Sequence, residues 1–160
     1  MQPDKTLLTE PGVVALRQAQ ATDAEFIYRL VETTMRGYVE QIWGSFSEEY
    51  NRKNVDESIA AATYSVIACE GLNIGALAVE RHPTHIQLTQ MYILPSHQNR
   101  GVGTSLIRKL AAEAKQSRRP LRLRVLSVNP ARRLYEREGF RVTSLTSERV
   151  FMELDALTEG

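Results

Sequence analysis

Leu88-Thr89-Gln90-Met91-Tyr92-Ile93-Leu94-Pro95 runs through Ser96-His97 into Gln98-Asn99-Arg100-Gly101-Val102-Gly103-Thr104. The apolar strand over residues 86–94 ends at Pro95, which has no N–H to give to a ladder. Leu106, Ile107, Leu110, Ala111 and Ala114 then recur at helical spacing, so a helix starts near Gly101. Its first turn carries unpaired N–H groups and the positive end of the macrodipole, which attract phosphate oxygens. Gly101 and Gly103 have no side chains to hold a ligand away. Residues 98–104 therefore read as a pyrophosphate cradle. The plainer alternative is a Gly-rich loop that only caps a helix, but a strand-to-helix junction is where the phosphate mechanism needs the motif. If the side chain at 103 enters the cradle, Gly103→Val is expected to weaken ligand binding without unfolding the chain.

Working outward, residues 13–17 read as a first short strand. Thr22 resembles a helix N-cap, with Glu25 three residues on as a capping box. Phe26, Ile27, Leu30, Val31 and Thr34 form a helical stripe that continues to Val39 and Ile42, and Gly44 is the stop. Ser47, followed by Glu48 and Glu49, begins a second helix. Residues 62–69, 73–81 and 85–94 are strands joined by short turns, so they should pair as an antiparallel meander. Beyond the cradle helix, Leu121, Leu123 and Val125 alternate with Arg122 and Arg124, which makes one face core and the other basic. Asn129-Pro130 opens another helix that Gly139 ends, and residues 140–145 and 149–154 close the chain as a hairpin. The order is β-α-α-β-β-β-α-β-α-β-β.

At 160 residues, 42% hydrophobic, the chain fits a single domain over residues 1–160 that buries its own core. No apolar run reaches the roughly 20 residues of a spanning helix, and the polar start lacks an apolar signal region. The expectation is a cytoplasmic protein with no membrane association. Cys69 is the sole cysteine and reads as a small buried strand hydrophobe. No His, Asp, Glu or Cys set has metal-ligand spacing, so no metal is expected. The net charge of +1 conceals a division: residues 1–80 hold 12 acids and 6 bases, and residues 81–160 hold 7 acids and 14 bases. Arg118, Arg119, Arg122, Arg124, Arg132 and Arg133 favour an anionic ligand in the basic half, while the acidic half suits a cationic amine. Ordinary solvated surface is the competing account.

With its flanks, the stretch quoted first resembles the acetyl-CoA-binding segment of the GNAT N-acetyltransferases. Asn129-Pro130-Ala131-Arg132-Arg133-Leu134-Tyr135-Glu136-Arg137-Glu138-Gly139-Phe140 is similar to that family's next helix, and Leu16-Arg17-Gln18-Ala19 with Asp23-Ala24 to its opening. The resemblance implies an α/β (α+β) fold with a mixed, mostly antiparallel central sheet flanked by helices. It implies an acetyl-CoA-dependent N-acetyltransferase acting on a primary amine of a small molecule, peptide or protein. The backbone of Met91 and Ile93 is placed against the pantetheine and acetyl group. Gln98, Asn99, Arg100, Gly101, Val102, Gly103 and Thr104 are placed on the pyrophosphate, and Asn129 on the pantetheine, where it also caps its helix.

Tyr135 takes the position of the general acid that protonates the departing CoA thiolate. A phenol near pKa 10 lies only about 1.5 units above a thiol near 8.5, a cost of roughly 2 kcal/mol that one hydrogen bond offsets. Otherwise Leu134 and Tyr135 are the apolar stripe of that helix. Tyr38, Glu40 and Trp43 are expected to wall the acceptor site, Tyr38 and Trp43 by stacking and Glu40 by pairing with the acceptor's cation; core packing is the other role open to Trp43. The general base is unassigned: relatives carry an acid where this chain has Gln87, and Glu80, His82, His85 and Tyr64 are candidates by residue type, with a water chain as the substitute. His97 stands beside the cradle. A non-catalytic acyl-CoA-binding or sensory domain is the alternative class, and Tyr135 argues against it. A nucleic-acid module lacks the interleaved exposed aromatics it needs, so no nucleic acid is expected. The identity of the acceptor, the use of other acyl-CoAs and pairing as a homodimer stay open.

Overall fold

Alternation in the strands and 3.6-residue stripes in the helices build the elements seen in a computed structural model, which describes residues 14–156. They are β1 (Ala15–Gln18), α1 (Ala24–Trp43), α2 (Glu48–Ala60), β2 (Tyr64–Cys69), β3 (Leu72–Arg81), β4 (Ile86–Ile93), α3 (Val102–Ser117), β5 (Leu121–Leu126), α4 (Arg132–Arg137), β6 (Arg141–Leu145) and β7 (Arg149–Leu154). The order is the one expected from the sequence. Val13, given to the first strand, lies outside the described residues.

The strands form one sheet in the order β1-β2-β3-β4-β5-β7-β6. Every neighbouring pair is antiparallel except β4 and β5. On one face, Val102, Leu106, Ile107, Leu110 and Ala114 of α3, with Tyr135 of α4, bury against Ile86, Leu88, Leu121, Leu123 and Val150. On the other, Ile27, Leu30 and Val31 of α1 and Val55 of α2 pack on Tyr64, Val66, Ala76 and Ala78. Each large aliphatic side chain so buried contributes about 1.5–3 kcal/mol, and the two cores hold the sheet rigid between them.

The caps follow local chemistry, with one correction. Ser47 Oγ accepts from the Tyr50 N–H at 3.0 Å, and the Gly44 N–H closes α1 on the Glu40 carbonyl at 2.8 Å. Thr22 does not cap α1. A 3-10 turn, Ala21–Asp23, precedes the helix, and the Asp23 carboxylate accepts from the Gln20 N–H at 2.8 Å. Both Asp23 oxygens also accept from the Arg17 guanidinium at 2.9 Å, which holds that carboxyl below its usual range. A charged, bidentate partner on β1 outweighs the neutral hydroxyl of Thr22.

Candidate functional site

The ladder between β4 and β5 is short. Ile86, Gln87 and Leu88 pair with Leu121, Arg122 and Leu123, and the pairing then stops although both strands run on. A cleft of about 490 Å³ opens there, walled by residues 88–92 of β4 and 123–126 of β5. Val31, Met35, Val39 and Trp43 line it from α1, residues 51 and 54 from α2, and Asn129 and Tyr135 from the α4 side.

A bulge sets what β4 offers to this cleft. Ala78 opposes Gln90 and Val79 opposes Leu88, so Thr89 has no partner on β3. The extra residue reverses the facing pattern: Ile86 and Leu88 face the α3 core, and beyond the bulge Met91 and Ile93 do so, while Tyr92 and Leu94 face α1. Thr89 Oγ1 is buried with no hydrogen-bond partner among the described residues, and Thr89 lines the cleft. The Leu94 N–H bonds to the Ile74 carbonyl on β3 at 2.8 Å. Since successive N–H groups of a strand point to opposite edges, those of Met91 and Ile93 point to the edge that β5 has left.

At the end of β4, Gln98 donates its side-chain amide to the Ile93 carbonyl at 2.8 Å. This side chain braces the loop against the end of β4. Asn99 and Gly101 are both left-handed, at φ +62° and +86°, which turns the chain sharply into α3. The first intrahelical bond there runs from the Ser105 N–H to the Gly101 carbonyl at 3.0 Å, so the N–H groups of Val102, Gly103 and Thr104 have no partner within the helix. His97 sits on the short turn Pro95–His97, its Nδ1 against Ser96 Oγ at 2.9 Å.

A side chain at 103 would not enter the cradle as the sequence suggested. A Cβ there would stand 3.2 Å from Leu134 Cδ2, 3.4 Å from Met91 Cε and 3.7 Å from Ile93 Cδ1. The position faces the packing between α3, α4 and β4, not the cradle, so Gly103→Val tests packing. Asn129 accepts the Ala131 N–H on Oδ1 at 2.9 Å while lining the cleft; α4 itself begins two residues later than its Pro suggested.

Tyr135 is 5% exposed and stacks edge-on against Phe140 with ring centroids 5.8 Å apart. Burial pushes its phenol up to about 12. Its hydroxyl makes no hydrogen bond among the described residues.

The α1 residues divide by helical phase. Val31, Met35, Val39 and Trp43 recur every four residues and so share the stripe that faces the cleft. Trp43, 47% exposed, lies in the cleft wall and not in the core. Tyr38 and Glu40 fall off that stripe and do not line the cleft; Glu40 instead accepts from Arg36 at 3.0 Å on the helix surface. The base candidates are scattered. Gln87 lines a separate depression with Arg122, Thr143 and Glu153. Glu80 pairs with His82 at 3.0 Å, and His82 stacks on His85 at the β3–β4 turn, at the far end of β4 from the cradle. Tyr64 is buried, its phenol held well above its usual range by desolvation, and it donates to Gln90 Oε1. Among the described residues, no carboxylate or imidazole lines the cleft.

Nor do the six arginines singled out in the sequence form one cluster. Arg122 is tied to Glu153 at 2.8 Å and Arg132 to Glu136 at 3.0 Å; Arg124 lines the cleft. Among the described residues, no set of three His, Cys, Asp or Glu side chains is placed to hold a metal, and no helix is long and apolar enough to cross a membrane.

A family model described as the acetyltransferase (GNAT) domain matches residues 60–142. Among solved structures, an acetyltransferase from Thermus thermophilus superimposes with a TM-score of 0.73 at 17% identity, covering 91% of this chain and 99% of that one. The PaiA N-acetyltransferase from Thermoplasma acidophilum, solved in complex with coenzyme A, gives 0.71 at 17%, covering 89% and 99%. The ribosomal-protein-S18-alanine N-acetyltransferase from Escherichia coli gives 0.65 at 19%, covering 92% and 97%. At such identities the likeness is one of fold. A search of curated protein sequences returns no match.

Proposed function

From the premise that this chain belongs to the GNAT acetyltransferase family, we propose that it transfers the acetyl group of acetyl-CoA to a primary amine in the cleft between β4 and β5. The observation that carries the reading is the early end of the β4–β5 ladder beside the unpaired N-terminus of α3. An elongated ligand with a phosphorylated end fits that shape: phosphate on α3, amide-bearing arm along the opened strand edge. Acetyl-CoA supplies a thioester carbonyl open to attack by an amine.

In this reading the N–H groups of Val102, Gly103 and Thr104 bind the pyrophosphate, helped by the loop that Gln98 braces. The free edge of β4 at Met91 and Ile93 donates N–H groups to the arm and to the thioester oxygen, where charge develops. Thr89 Oγ1, buried and unpaired, gains a hydrogen-bond partner from the arm's amides. Tyr135 aims its hydroxyl at the departing sulfur. At about 12, its pKa lies about 3.5 units above an ordinary thiol, so complete proton transfer costs about 5 kcal/mol in place of the roughly 2 expected from an unperturbed phenol. The same burial disfavours the thiolate and narrows the gap. Tyr135 therefore acts first as a hydrogen-bond donor to the developing thiolate and parts with its proton late.

Among the described residues, no side chain lining the cleft is a carboxylate or imidazole, so in this reading the amine enters neutral or gives its proton to water. The expected pH profile follows. With acetyl-CoA saturating, kcat/KM for the amine should rise about tenfold per pH unit up to the acceptor's own pKa. A protein base would add an inflection between about pH 4 and 7. With Tyr135 at about 12, kcat should hold beyond pH 10, where an ordinary phenol is already half ionised. An inflection near 6 would point to a base in the protein.

The direct test is acetyl-CoA titration by thermal shift, together with thiol release over a panel of amines. Acetyl-CoA at 100 Kd should add about 2.7 kcal/mol, and release should require an amine. Stabilisation by acetyl-CoA with no release for any amine would favour a non-catalytic acyl-CoA-binding domain instead.

A further inference from the structure

Two arginines enter the cleft from neighbouring strands, Arg124 of β5 and Arg149 of β7. Arg124 opposes Phe151 and Leu126 opposes Arg149, so the two arginines are diagonal cross-strand neighbours, about 7 Å apart at the backbone. Both sit on the α1 and α2 side of the sheet, since Leu123, Val125 and Val150 between them face the α3 core. Their neighbour Arg122, on the same face, is neutralised by Glu153, which also takes Arg141. Arg124 and Arg149 have no such partner: among the described residues neither forms an ion pair. Of the acids of α1 and α2, Glu25, Glu32, Glu40 and Glu48 are occupied by Arg29, Arg36 and Arg52 along the helix surfaces, and no acid of either helix lines the cleft. Arg149 is held in place, its guanidinium lying over the Trp43 ring at 5.2 Å.

Two guanidiniums lining one concave wall repel each other, and an anion bound between them relieves that. The phosphates do not supply it, because the unpaired N–H groups of α3 lie with the helix packed on the opposite face. We infer that the acceptor amine carries an anion of its own, a carboxylate or a phosphate, and that Arg124 and Arg149 bind it. The apolar stripe of Val31, Met35 and Val39 then lies along the body of a molecule with an amine at one end and an acid at the other. This reverses the expectation that acidic residues recruit a cationic amine: among the described residues no carboxylate lines the cleft, and its charge selects the far end of the acceptor. The inference rests on the acetyl-transfer reading and names its substrate class.

Matched probes test it: phenylalanine, phenylalaninamide and phenethylamine for the carboxylate, phosphoethanolamine and ethanolamine for the phosphate. Charge-assisted hydrogen bonds of this kind correspond to about 10- to 100-fold in affinity. One anionic probe should therefore exceed its neutral partner by that factor in kcat/KM, and which one does so identifies the anion. Arg124→Gln and Arg149→Gln should each collapse this preference toward unity, mainly through KM, leaving the acetyl-CoA thermal shift intact. Arg124→Lys should restore part of it, since the charge survives without the planar fork, and Lys115→Gln at the far end of α3 should leave the preference unchanged. Calorimetric binding of the same probes to the CoA-saturated protein gives the same comparison when turnover is too slow to follow. A neutral probe that matches or beats its anionic partner overturns the inference while acetyl transfer stands. So does a loss of acetyl-CoA affinity in the glutamine variants, which would give the arginines to the cofactor.

Discussion

Tyr135→Phe is expected to lower kcat by about 10²- to 10⁴-fold with acetyl-CoA affinity nearly unchanged. The ring and its edge contact with Phe140 at 5.8 Å survive, so the fold loses nothing it packs with. What goes is a hydroxyl with no hydrogen bond to the described residues, in a residue 5% exposed at the cleft wall. Because burial has raised that phenol to about 12, the cost of handing over the proton limits its advantage over water, and the loss should fall toward the smaller end of the range. Turnover measured with both substrates saturating, so that binding changes drop out, decides the matter. Wild-type turnover in the variant would return Tyr135 to the apolar stripe of α4 that the sequence also allowed.

Gly75→Ala should be the most damaging single-methyl change in the sheet. Gly75 lies on β3 opposite Ile93, and a Cβ there would collide with the Tyr92 carbonyl oxygen while standing 3.1 Å from Ile67 Cδ1 and 3.3 Å from Ile93 Cα. Two of those three atoms are backbone, so β4 itself must move. Overpacking that the surroundings cannot absorb costs about 3 kcal/mol, a fall in Tm of about 6–12 °C for a chain of this size. Since the displaced segment carries Met91 and Ile93, acetyl-CoA affinity should fall with it. Gly103→Val makes the useful contrast. Its Cβ meets only side-chain ends, the nearest Leu134 Cδ2 at 3.2 Å, which can yield, so a smaller loss of about 1 kcal/mol is expected. A Gly75→Ala protein as stable as Gly103→Val would mean that β4 yields as easily as a leucine methyl.

The turn into α3 and the element order were legible in the sequence because both are local. Pro95 ends β4, Gly101 takes a left-handed φ, and Ser47 caps α2 through bonds reaching no more than a few residues. The helix phases were legible too, yet not which stripe would line the cleft. Trp43 turned into the cleft while Tyr38 and Glu40, on the same helix, did not, because orientation about the helix axis is fixed by packing on the sheet. Thr22 lost the cap to Asp23 for a partner, Arg17, that lies on β1.

The rest belonged to pairings the chain order does not state. The last hairpin inserts β7, not β6, beside β5, and only that choice brings Arg149 next to Arg124. Nothing local marks Thr89 as the bulge, since the extra residue is defined only against β3. The cleft itself arises where a parallel ladder three residue pairs long gives out. The amino-acid sequence by itself determined the strands, the helices and the sharp turn into α3, because hydrophobic period, caps and glycines act over a few residues. Tertiary structure alone decided which side chains share the cleft, because register, strand order and helix rotation are settled by contacts between segments far apart in the chain.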